Sequence, residues 1–86
     1  MKRFGIEWKD VGRFRDSEYD KRYAAGPIGN NFWLIIYAYK GRHYRYEAEC
    51  LRNGDSWWTI GEFRLFNEAC KKAVEWATLK RLQGEI

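Results

Sequence analysis

Residues Phe32-Trp33-Leu34-Ile35-Ile36-Tyr37-Ala38-Tyr39 run without a polar break. A bilayer span takes about 20 apolar residues, so this run is too short to cross a membrane and long enough for one strand. Its aromatic and β-branched content favours a strand over a short helix. A strand sends alternate side chains to opposite faces. One face therefore carries Phe32, Leu34, Ile36 and Ala38, and the other carries Trp33, Ile35, Tyr37 and Tyr39. Both faces are apolar and both need cover. What covers the second face is the functional question.

The rest of the chain is read around that strand. Upstream, Phe4, Ile6 and Trp8 alternate with polar or small residues, the period-2 pattern of an edge strand. Residues 17–25 are expected to form one or two helical turns, with Ser17 as N-cap and Gly26-Pro27 as the stop. A loop follows to Asn31. Downstream, residues 43–51 alternate cleanly, with Tyr44, Tyr46, Ala48 and Cys50 against Arg45, Glu47 and Glu49. Arg52-Asn53-Gly54-Asp55 is a strong hairpin signal, because Asn-Gly tolerates positive φ. A third strand is expected over 57–63. A helix then covers 66–83, with Asn67 as N-cap and Gly84 as the stop. Its Ala69, Cys70, Ala73, Val74 and Ala77 fall on one face. Small residues there let a helix sit close on a sheet of bulky side chains.

The expected fold is thus α+β: a three- to four-stranded antiparallel sheet packed against one C-terminal helix, with a short N-terminal strand or arm. It is one domain over 1–86, with the arm at 1–31, the antiparallel meander at 32–63 and the helix at 66–83. Register decides which aromatics are exposed, since a slip by one residue reverses every side chain. A three-residue loop at Tyr39-Lys40-Gly41, with Gly41 left-handed, puts Leu34 and Ile36 on the face of Tyr46, Ala48 and Cys50. A two-residue loop at Gly41-Arg42 reverses the first strand. The three-residue loop is preferred, because a type I turn closed by a glycine bulge fits it. Trp57 and Trp58 are expected on opposite faces. The second face then holds Trp33, Tyr37, Tyr39, Arg45 and one tryptophan, taken as Trp57. Either the N-terminal residues Phe4, Ile6, Trp8, Val11 and Phe14 fold over that face, or it meets a partner.

Composition narrows the function. Aromatic residues make up 19% of the 86, with 5 Trp and 6 Tyr, more than a small core requires. Trp, Tyr and Arg are the residue types that anchor interfaces. The 16 basic and 12 acidic residues leave a net charge of +4, which permits a nucleic-acid partner without demanding one. Cys50 and Cys70 lack metal-ligand spacing and fall on expected core faces, so buried free thiols are expected. His43 stands alone at a hairpin end. Glu47 and Glu49 share a strand face about 7 Å apart, a spacing that carboxylate pairs use in catalysis, but alternating Glu is the ordinary pattern of a solvated face. Neither Ser17 nor Ser56 has an identifiable base. No enzyme, metal or cofactor is expected. With no signal-peptide pattern, no span and no secreted disulfide framework, the expected location is the cytoplasm.

The join Trp58-x-Ile60-Gly61-x-Phe63-x-x-Phe66-x-Glu68-Ala69-x-x-x-Ala73 resembles that of arm-type integrase and AP2 DNA-binding domains. That resemblance implies a three-stranded sheet backed by a helix, with the exposed face entering the major groove. The sequence departs from those domains in placing Glu47 and Glu49 beside Arg45. In size and lack of catalytic groups the chain also resembles small phage accessory proteins, including anti-CRISPR inhibitors. This second resemblance implies docking on a host complex. The expected function is a non-catalytic binding or inhibitor domain acting on a protein or nucleoprotein partner by steric occlusion. The alternative is DNA or RNA binding through the same face. Expected contacts are Trp33, Tyr37, Tyr39, Arg45 and Trp57, with Arg13, Arg15 and Arg42 on flanking loops.

Overall fold

A computed structural model of the chain describes residues 1–12, 18–41 and 45–86. The strands are β1 (Lys2–Arg3), β2 (Ile6–Glu7), β3 (Lys9–Asp10), β4 (Tyr19–Ile28), β5 (Phe32–Tyr39), β6 (Tyr46–Arg52) and β7 (Asp55–Phe63). One helix, α1 (Phe66–Leu82), follows. β1 and β2 form a small hairpin, while β3-β4-β5-β6-β7 is a five-stranded antiparallel sheet in chain order. The α+β class holds, with the helix on one side of an antiparallel sheet. The sheet has five strands where three to four were expected.

The added strand is β4. Residues expected to turn helically instead pair with β5, with Tyr23 opposite Ile36 and Ala25 opposite Leu34. The cause lies in β5 itself. A strand apolar on both faces is stabilised at the centre of a sheet, where both backbone edges are paired and each neighbour shelters part of each face. That demand outweighs the weak helix preference of a short charged segment. Tyr19, Tyr23 and Ala25 supply side chains suited to the strand. Ser17, the expected N-cap, lies outside the described residues.

The preferred assignment of faces to β5 and β6 holds: Leu34 lies opposite Cys50 and Ile36 opposite Ala48. The turn proposed to produce it does not. Tyr39 is still paired, its N–H donating to the Arg45 carbonyl at 2.7 Å. The connection therefore runs beyond Gly41, and Ala38 meets Tyr46 rather than Arg42. The partner moves by four residues, and an even shift keeps every side chain on its face. The expected start of this strand at His43 lies outside the described residues. The second hairpin closes as expected at Asn53-Gly54, whose φ values of 52° and 86° suit a tight two-residue turn.

Under the helix, Leu34, Ile36, Ala48 and Cys50 meet Ala69, Cys70, Ala73 and Ala77, and all are buried. The alanines sit where expected. The helix starts at Phe66 as expected, but its N-cap is Leu65, two residues before Asn67, and it has no side-chain cap. It ends at Gly84, whose N–H donates to the Arg81 carbonyl at 3.0 Å. Trp8 adds the largest fully buried side chain of this core. Among the described residues its indole N–H has no hydrogen-bond partner.

Burying Ile36 removes a whole aliphatic side chain from water, worth about 1.5–3 kcal/mol. Truncation also leaves a cavity, so Ile36→Ala is expected to lower unfolding free energy by about 2–5 kcal/mol. Ala73→Leu, which overfills the helix–sheet seam, is expected to cost about 1–3 kcal/mol. Urea unfolding of the two variants against the parent checks both.

Candidate functional site

The sheet face turned away from α1 follows from the strand pairing. One row across it is Arg22, Tyr37, Glu47 and Glu62. The next is Lys9, Ala24, Ile35, Glu49 and Thr59. A third begins with Trp33 and continues through Leu51 to Ser56. Down the middle runs β5, with Trp33, Ile35, Tyr37 and Tyr39 over about 20 Å. Ile35 is only 4% exposed although the helix packs on the other face.

Trp33, Tyr37 and Tyr39 thus stand where expected, each half-buried. Arg45 is exposed beside Tyr39 at the start of β6. Trp57 is not on this face. β7 carries irregularities at both Trp57 and Ile60, which reset its alternation. Trp57 and Trp58 both turn to the helix side, with ring centres 6.0 Å and 6.2 Å from Trp76. Trp57 also packs on Phe32 at 5.2 Å. Lys80 Nζ lies 4.8 Å from the centre of the Trp58 ring. Trp57 is therefore a core-edge residue, and the expectation that the two tryptophans take opposite faces is corrected. Arg13, Arg15 and Arg42 lie outside the described residues.

The expectation that the arm folds over this face is also corrected for its described part. Ile6 and Trp8 pack into the core on the helix side, and Phe4 and Val11 are exposed. Phe14 lies outside the described residues. The rest of the arm contributes β4, which widens the face rather than covering it. With β4 come Tyr19 and Arg22, which the helical reading of that segment hid. Tyr19 stacks at a tilt on Tyr37, ring centres 4.8 Å apart, and meets Tyr39 edge-on at 6.3 Å. Period-two reading sets Tyr19 with Tyr23 and Ala25 on the helix side; the irregularity between Tyr19 and Lys21 turns it to the Tyr39 face, so no local signal marked it.

Two features hold these aromatics in place. Trp33 Nε1–H donates to Asn31 Oδ1 at 3.3 Å. Its ring lies against Gly26, where a Cβ would come within 3.0 Å of the indole. Gly26 has φ of 146°, a conformation side-chain-bearing residues rarely adopt. Tyr37 sits among charges. Burial first, and then the Glu49 carboxylate, push its phenol from its ordinary value of 10.0 up to about 12. The phenol stays neutral at physiological pH, a hydrogen-bonding group at the tip of an apolar ring. On the other side of the sheet, burial pushes the Cys50 and Cys70 thiols up to about 11.

A tyrosine with its pKa raised by folding contributes stability that is fully present below pH 10 and is lost as pH rises through about 12. Tyr37→Phe is expected to flatten the fall in stability across that window, measured by denaturant unfolding at stepped pH. Glu49→Gln is expected to lower the Tyr37 pKa, read by ultraviolet titration against Tyr37→Phe. Both thiols are expected to resist an aromatic disulfide reagent at pH 8 in the folded protein and to react on unfolding.

No protein-family model matches the chain, and no curated protein or solved structure shows significant similarity to it.

Proposed function

We propose that the protein is a non-catalytic binding domain that docks on a protein or nucleoprotein partner through the sheet face of β5 and acts by steric occlusion. The observation that carries this reading is the row Trp33, Tyr37 and Tyr39, half-exposed on the central strand of the sheet. Rigid aromatic side chains with polar tips are the residue type that anchors interfaces. Here they are joined by Tyr19, whose ring stacks on Tyr37. A non-catalytic role is supported by the state of the reactive groups. The thiols are buried and held as neutral SH, and Tyr37 is held as a neutral phenol. Neither is poised as a nucleophile or base at neutral pH. Docking of this kind is the mode implied by the resemblance to small anti-CRISPR-type phage proteins.

Direct nucleic-acid binding is less well supported. Glu47, Glu49 and Glu62 share one flank of the face, and phosphates laid across it would meet them.

A photo-crosslinking residue placed at Tyr39, and for comparison at Lys71 on the outward side of α1, tests the reading in lysate of the source cells. A saturable protein adduct is expected from position 39 and not from position 71. Tyr37→Ala in the same chain is expected to weaken the adduct by about tenfold or more, with the circular dichroism spectrum unchanged. Equal adducts from both positions, or none from position 39, sink the proposal. An adduct to nucleic acid that fades steeply with salt would favour the alternative.

A further inference from the structure

We infer that the partner presents a basic protein surface, seated over the β6–β7 flank with its apolar residues on the β5 row. The inference depends on the docking reading above and names the chemistry of the occupant.

The chain as a whole carries +4, yet this face is ordered by charge. Across the sheet, Lys9 and Arg22 lie on β3 and β4, the aromatic and aliphatic residues on β5, and Glu47, Glu49 and Glu62 on β6 and β7, with the exposed Arg45 just before β6 a cation at the Tyr39 end of that flank. Arg22 and Glu47 are engaged within the protein. The argument therefore stands on Glu49 and on Glu62, which is exposed. Glu62 pairs with Glu47, two residues from Glu49, so Glu49 and Glu62 are diagonal neighbours with Cα atoms about 7–8 Å apart. One lysine or arginine side chain can reach both carboxylates.

The β7 irregularities sharpen the contrast. They turn Trp57, Trp58 and Ile60 toward the helix and leave Ser56, Thr59 and Glu62 on this face. The flank thus offers carboxylates and hydroxyl groups beside an apolar row, which complements cationic side chains interleaved with apolar ones. Glu49 lies diagonal to Tyr37 across β5 and β6, and after burial its charge is the next cause that raises the Tyr37 pKa.

Two synthetic peptides of about ten residues test this, identical at their apolar positions and carrying Lys or Glu at the alternate ones. Each is titrated at low salt into the isotopically labelled full chain and followed by backbone amide shifts. The Lys peptide is expected to move the amides of Tyr37, Glu49 and Glu62. The Glu49→Gln/Glu62→Gln variant should weaken it by about five- to tenfold, as two rim charges would. The Glu peptide should leave those amides in place, and Glu49→Lys/Glu62→Lys should reverse the preference. Equal binding of the two peptides, an unchanged affinity in the Gln variant, or no shift at Tyr37 overturns the inference. So does a DNA duplex that moves the same amides more tightly than the Lys peptide. The docking reading is judged separately by the crosslink from position 39, so a basic partner can fail while docking stands.

Discussion

A strand that is apolar on both faces cannot be satisfied at the edge of a sheet. At an edge one row of backbone groups stays unpaired and the flank of each face stays wet. β5 therefore needs a neighbour on each side, and the whole sheet follows from that need. β6 arrives by the hairpin chemistry after the strand. β4 is drawn in from before it, although its own sequence is equally compatible with a short helix. Once β4 is extended, β3 adds to its far side and carries Trp8 onto the helix-side core. The helix then needs only small residues, because Leu34, Ile36, Phe32 and the tryptophans already supply the bulk.

β7 shows a second constraint at work. Strict alternation over Asp55–Phe63 would bury one of Trp57 and Trp58 and strand the other among glutamates. Two extra residues let the strand place both tryptophans, Ile60 and Phe63 toward the helix side. The polar residues Ser56, Thr59 and Glu62 remain, spaced by three rather than two. That spacing in the sequence marks an irregular strand. Read at period two, the same residues put Trp57 on the wrong face.

Legibility followed the strength of the local signal. The Asn53-Gly54 turn and the alanine face of α1 depend on residue chemistry that few other conformations satisfy, and both were readable. The faces of β5 and β6 were readable too, since parity is robust: any even slip preserves them, so a misplaced turn did no harm. β4 was not readable from its own residues. Its conformation is decided by β5, distant in sequence from Tyr19, through the burial of a face that local propensity does not see. With β4 hidden, Tyr19 and Arg22 were missed as members of the candidate site, while Trp33, Tyr37 and Tyr39 were found because they belong to the strand that does the organising.

The proposed anchors owe their rigidity to the opposite face of the same strand. Binding is weakened by every side chain and backbone segment that must be ordered on contact. Tyr37 is fixed between Ile36 and Ala38. Ile36 is locked under α1, and β5 is hydrogen-bonded on both edges. The Tyr19 ring restricts Tyr37 further, and Gly26 and Asn31 hold Trp33. An aromatic held this way has little freedom left to lose when a partner arrives. The core under the helix and the surface opposite it are therefore two consequences of one apolar strand. Loosening the first, as Ile36→Ala would, softens the second without touching any residue that a partner meets.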